Sequence, residues 1–228
     1  MNRLQLVQRL NQEAASTGDT ISTTLSQTGL IQRLIDWVDT AYQDIQAMRL
    51  DWDFLRTEFS FSMVVGTREY SKATLGYDDL SAWKVDDIRV YDDVSDEDYL
   101  IFEEYDTFKR IYLLGNYRAL TGRPSSFSVK PDGSIIFDLL ADDTYTINGE
   151  YYKIADVMDS TGATANTDEP IIPVPYQMAI VWRALMFYGA YEGADDVYSH
   201  GEKEFRRVLS QLELNQTPKQ SFLSRPIA

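Results

Sequence analysis

The apolar positions of this chain change period twice, from steps of three and four to steps of two and back. Leu4, Leu6, Val7 and Leu10 predict a short amphipathic helix, broken by Gly18 and the Ser/Thr-rich run to Thr28. A longer stripe starts at Gly29 and runs through Ile31, Leu34, Ile35, Val38, Ala41, Tyr42, Ile45, Met48, Trp52 and Leu55. Those steps keep one face apolar over about seven helical turns, the strongest periodic signal in the chain. After Glu58, the residues Phe59, Phe61 and Met63 alternate with polar ones, which is the period of a strand. Further strands are expected at 83–91, 99–102, 127–130, 135–139 and 145–152, with Pro131-Asp132-Gly133 as a tight turn between two of them. Residues 104–114 read as a short helix stopped by Gly115-Asn116.

The helical period then returns. A loop at 159–169 and Pro170, Pro173 and Pro175 lead into a helix over 176–193. Met178, Ile180, Val181, Trp182, Leu185, Met186, Phe187 and Tyr188 make it apolar nearly all round, so other elements must cover most of its sides. Asp195 is placed to cap a last helix that buries Val197, Phe205, Val208, Leu209 and Leu212. From Thr217 onward no period remains, and Pro218 and Pro226 oppose a helix. Neither terminal group of helices makes a bundle alone, so the economical solution packs them on each other. The expected class is α+β: a helical bundle of N- and C-terminal helices (1–58 plus 171–216), an inserted antiparallel β domain (59–170) and an extended C-terminal arm (217–228).

Composition narrows the function. A formal net charge of -15, from 21 basic against 36 acidic residues, opposes a general nucleic-acid binder, which needs clustered cations to displace counterions. With 44% hydrophobic residues the chain can bury a real core. The absence of cysteine removes disulfide frameworks, thiolate zinc sites and cysteine nucleophiles, and fits a reducing cytosol. The uncharged stretch 170–182 is too short to span a bilayer and ends at Arg183, and no apolar signal core follows Met1. A protein neither secreted nor membrane-inserted is expected.

Catalytic patterns do not surface. His200 is the single histidine, and no G-x-S-x-G elbow, phosphate-cradling P-loop or G-x-G-x-x-G fingerprint occurs. Asp196, His200 and Glu204 lie four apart and share a helix face that could ligate a divalent metal, although such spacing usually marks a solvated face. The acidic run from Asp92 to Asp98 invites a calcium reading but lacks the glycine and spaced ligands of an EF-hand, so a charged hairpin tip is the expectation. Glu103 and Glu104 carry no mark of a glycosidase dyad. Aromatic residues around Tyr91, Tyr99 and Tyr151 would, if they faced solvent, make a carbohydrate- or ligand-binding module, the alternative function. No cofactor and no metal is expected.

Taken in order, the chain resembles the head-to-tail adaptor family of tailed bacteriophages, also called head-completion or upper tail tubular proteins. The likeness rests on the helix bearing Trp37, Trp52 and Phe54, the Gly122-Arg123-Pro124 step, the Pro131-Asp132-Gly133-Ser134 turn and the Gly149-Glu150-Tyr151-Tyr152 strand end. It continues through Ile172-Pro173 to Tyr176 and into Ala179-Ile180-Val181-Trp182-Arg183-Ala184. The resemblance implies a non-catalytic ring, typically of twelve copies, below the portal and joined to the next tail component, a nozzle or tail tube. Double-stranded DNA would pass through its centre without specific binding. It also implies residence at the virion neck after synthesis in the host bacterial cytoplasm, with no membrane partner. An acidic lumen would let phosphates slide without sticking. The last residues differ in character from the acidic body. Lys219, Phe222, Leu223, Arg225 and Ile227 are basic or apolar and no acid accompanies them, so they are expected to dock on the portal.

Overall fold

The structure, a computed structural model, describes residues 1–15 and 20–217. In chain order its elements are α1 (Arg3–Ala14), α2 (Gly29–Ala47), β1 (Arg56–Ser62), β2 (Glu69–Tyr70), α3 (Lys72–Leu75), β3 (Leu80–Tyr91), β4 (Asp98–Tyr99) and β5 (Ile101–Phe102). They continue with α4 (Tyr105–Tyr112), β6 (Ser126–Val129), β7 (Ile135–Phe137), β8 (Thr146–Lys153), α5 (Met178–Glu192) and α6 (Asp195–Gln216). The class is mixed α+β. The described residues of 1–55 and 155–228 form one compact unit, and Arg56–Ile154 form a second.

In the first unit, α5 packs against α1, α2 and α6. That explains its all-round apolarity: Ala179, Ile180, Val181, Ala184 and Leu185 are buried on several sides at once. The N-terminus is well determined by local chemistry. Asn2 caps α1 through a capping box with Gln5, and Leu6, Val7 and Leu10 are fully buried. The helix closes at Ala15, in the left-handed region at φ 46°; Gly18, expected to break it, lies outside the described residues.

The stripe begun at Gly29 does not stay helical to Leu55. The helix α2 ends at Ala47, the chain turns, and a 3-10 turn spans Asp53–Leu55. Trp52 nonetheless keeps its place on the apolar side. Its indole Nε1 donates to the Ile45 carbonyl at 3.2 Å, a second donor at an acceptor that the Met48 N–H also reaches at 3.4 Å. The Arg49–Asp51 ion pair at 2.9 Å closes the turn between them. Asp195 likewise is the first helical residue rather than the cap: Ala194 occupies the N-cap position without a side-chain bond. Asp195 and Asp196 instead place negative charge at the positive end of the α6 dipole.

The α5–α6 hairpin depends on two glycines. A Cβ at Gly189 would stand 2.7 Å from the Tyr198 nitrogen, and one at Gly201 would stand 3.1 Å from the Trp182 carbonyl oxygen. Backbone, not a yielding side chain, fills the space. Gly189→Ala should therefore push the two helices apart and cost about 1–3 kcal/mol of stability, read as a drop in denaturation midpoint at constant m. Unchanged stability would mean that the hairpin is not this tight.

The second unit holds two four-stranded sheets, ordered β1-β8-β3-β4 and β2-β7-β6-β5. Both contribute to one core, in which Phe59, Ile88, Phe127, Ile135, Phe137 and Ile147 are buried. The Phe59 ring stacks edge-on to Trp83 at 4.8 Å and covers Gly149, where a Cβ would lie 2.9 Å from it. The strand expected at 99–102 is two strands in different sheets. β4 pairs with β3, β5 pairs with β6, and buried Leu100 marks the crossing, its N–H bonded to the Ile88 carbonyl at 2.8 Å. The β domain is not wholly antiparallel either: β5 runs parallel to β6. A parallel pair needs a long return, and residues 103–125, carrying α4, supply it.

Candidate assembly surfaces

Most of the acids flagged for chemistry are already engaged. In the acidic run, Asp93 and Asp96 form the capping box of a 3-10 turn, Arg123 Nη1 pairs with Asp96 at 2.5 Å, and Arg89 pairs with Glu97 at 3.0 Å. The tip is thus a turn organised by two arginines. His200 is exposed and sets its ring edge-on to Trp182 at 5.5 Å, while Glu204 pairs with Arg207 at 2.8 Å, which holds its carboxyl below the usual range. Glu104 caps α4 through Thr107 and Glu103 accepts from the Tyr112 hydroxyl, so those two acids serve different ends of one helix. Among the described residues no three His, Cys, Asp or Glu side chains converge as metal ligands.

Nor do the tyrosines make a sugar platform. Tyr151 is in the core, its hydroxyl donating to Asp79 at 2.8 Å; burial, more than that carboxylate, pushes its pKa up. Tyr91 accepts from Asn148 at 3.2 Å, and Tyr99 alone of the three stands 66% exposed. A groove of about 310 Å³ opens beside Glu58, Asp87, Arg89, Asn148 and Glu150. Its charges are balanced: Glu150 pairs with Lys84 at 2.7 Å and Arg56 at 3.1 Å. Burial would raise the Glu150 pKa, but the two cations together outweigh it and hold the carboxyl low. That carboxylate is not poised for proton transfer near neutrality.

Lys219, Phe222, Leu223, Arg225 and Ile227, expected from the sequence to dock on the portal, lie outside the described residues. What the structure does describe is the surface from which that segment departs. Leu214, near the end of α6, is 80% exposed, and Leu50 and Met48 are exposed in the turn after α2. Glu213 is near enough to Arg49 to add to the rise in its pKa, which Asp51 mainly causes, so the two places are neighbours.

The sequence reading missed two surfaces of the second unit. Residues 114–121 are exposed without a break, Leu114, Tyr117 and Leu120 included. They are held by Arg68, itself 9% exposed, whose guanidinium donates to the carbonyls of Tyr112 at 3.4 Å, Asp138 at 3.5 Å and Arg118. Burial among these carbonyls lowers the Arg68 pKa. The second surface is the β4–β5 edge, where Tyr99, Ile101 and Phe102 are exposed beside a groove of about 290 Å³. A signal for the first was present in the sequence: no acidic residue occurs from 107 to 131, whereas Lys109, Arg110, Arg118, Arg123 and Lys130 do.

No helix among the described residues is long and apolar enough to cross a membrane. A comparison with protein-family models matches the model described as SU10 adaptor protein over residues 1–226. A search of curated proteins finds no match to the chain.

Proposed function

Since the chain belongs to the SU10 adaptor protein family, a family of phage head-to-tail adaptors, we propose that it forms a ring, of twelve copies, below the portal. The ring connects the capsid to the next tail component, a nozzle or tail tube, and lets double-stranded DNA pass without binding it specifically. Its place is the virion neck, and its role is structural rather than catalytic. The single observation that carries this reading is the family match over nearly the whole chain. A net charge of -15 suits a channel that must not retain phosphates.

Within that reading the C-terminal segment is the portal-docking arm. Lys219 and Arg225 supply charge, and Phe222, Leu223 and Ile227 supply apolar anchors for a partner surface to bury. The test is the mass of the particle formed when the chain is mixed with its portal, with the chain alone as control. A ring-sized increment is expected for the full chain. A chain ending at Gln216 should lose the increment and keep its thermal unfolding profile. Portal binding undiminished by the truncation would overturn the arm's role, and no association of the full chain at any salt or pH would overturn the ring.

A further inference from the structure

Two exposed surfaces of the second unit are opposite in charge and alike in apolarity. Arg68, which directly precedes β2 in the sheet β2-β7-β6-β5, pins residues 112–118 by binding the carbonyls of Tyr112 and Arg118. Ile111, Leu114, Tyr117 and Leu120 are 46–59% exposed there. Lys109, Arg110 and Arg118 make no ion pair among the described residues.

The other surface is the β4–β5 edge. Tyr99 and Ile101 are 66% and 63% exposed, and Asp92, Asp93 and Asp98 stand exposed around them. The edges of the two sheets differ in availability. On β1 the Tyr77 hydroxyl both accepts from the Ser60 N–H at 3.2 Å and donates to its carbonyl at 2.9 Å, and Tyr70 does the same at Val64. These contacts block β1 against strand addition. No such side-chain contact caps the Tyr99–Phe102 edge among the described residues.

Within one molecule the two patches form no ion pair: among the described residues Asp96 and Asp98 pair with Arg123, and Glu97 with Arg89, rather than with Lys109, Arg110 or Arg118. On two copies they can meet, and because the patches differ, the contact is head-to-tail and repeats from copy to copy. We propose that the basic, apolar segment 109–120 of one copy docks on the acidic, apolar β4–β5 edge of the next. The occupant is a second copy of this chain, chosen by the charge complementarity that one sequence carries on both sides. This deepens the ring reading above and rests on it.

The absence of cysteine gives a clean test. The double variant Tyr117→Cys with Tyr99→Cys, oxidised after mixing with portal, is expected to run as a ladder of disulfide-linked multimers, whereas either single variant stops at dimers or monomers. In parallel, Arg110→Glu with Arg118→Glu should weaken the association of copies by roughly 100-fold, as like charges now face each other. Adding Asp92→Lys and Asp98→Lys to that chain should restore it. All four positions are exposed, and an unchanged melting profile verifies that each variant folds. Rings of wild-type mass that show no ladder and ignore the charge reversal would overturn this interface while leaving the ring intact. Wild-type chain that forms no ring with portal or alone would take down both.

Discussion

Asp39→Ala is expected to destabilise the first unit by about 3–5 kcal/mol, because it strands a buried cation. Arg3 is only 2% exposed. Its Nε and Nη2 donate to the two Asp39 oxygens at 2.9 and 2.6 Å, and its Nη1 donates to Thr24 Oγ1 at 3.0 Å. Thr24 in turn is fixed by Asn166, whose Oδ1 accepts its N–H at 2.7 Å. One guanidinium therefore ties α1 to α2 and, through Thr24, to the loop before α5. With Asp39 gone, the fork keeps only a neutral partner. Equilibrium denaturation of Asp39→Ala, of Arg3→Met and of the pair closes a double-mutant cycle. The pair should recover most of the loss, since an apolar replacement leaves no uncompensated charge. A loss under about 1 kcal/mol for Asp39→Ala would show that the pair behaves as an exposed one.

Trp52→Ala should cost a similar amount, about 3–5 kcal/mol, for a different reason. The indole is fully buried, stacks on Phe54 at 5.4 Å and carries the Ile45 carbonyl bond that ends α2. Truncation removes both the volume and the indole donor. Trp52→Phe separates the two: it keeps most of the volume, and its cost, about 0.5–1.5 kcal/mol, reports the lost indole hydrogen bond, since the Met48 N–H still reaches the Ile45 carbonyl at 3.4 Å. Chemical denaturation of both variants decides. Equal stabilities for Trp52→Phe and wild type would mean that the Met48 N–H alone is enough for the Ile45 carbonyl.

Much of this architecture was legible in the chain. Period alone located the amphipathic helices: Leu34, Ile35, Val38, Ala41, Tyr42 and Ile45 are buried along α2 as their spacing requires. The same holds for the alternation in β8, where Ile147, Gly149 and Tyr151 face in and their neighbours do not. The unusual apolarity of α5 announced that it would be surrounded. The order of these segments carried the family resemblance, and the family match now stands on the same span of chain. Such features are local or nearly so, and a side chain's period is set by the backbone that bears it.

Other features depended on partners remote in sequence. The stripe after Ala47 stayed apolar while the helix stopped, because Trp52 satisfies an α2 carbonyl from outside the helix and its spacing does not distinguish the two arrangements. The run 99–102 reads as one strand, yet buried Leu100 lets its halves join different sheets. The tyrosines suspected of facing a sugar were separated by the core, which took Tyr151 and left Tyr99 in solvent. By itself, then, the sequence determined the helices, most strands, the acidic balance and the lack of catalytic machinery patterns. The tertiary structure decided where each run ends, which strands pair, and which basic and acidic surfaces stay exposed. The physical reason is that ends, pairings and edges are settled by hydrogen-bond partners from distant parts of the chain, which no local period encodes.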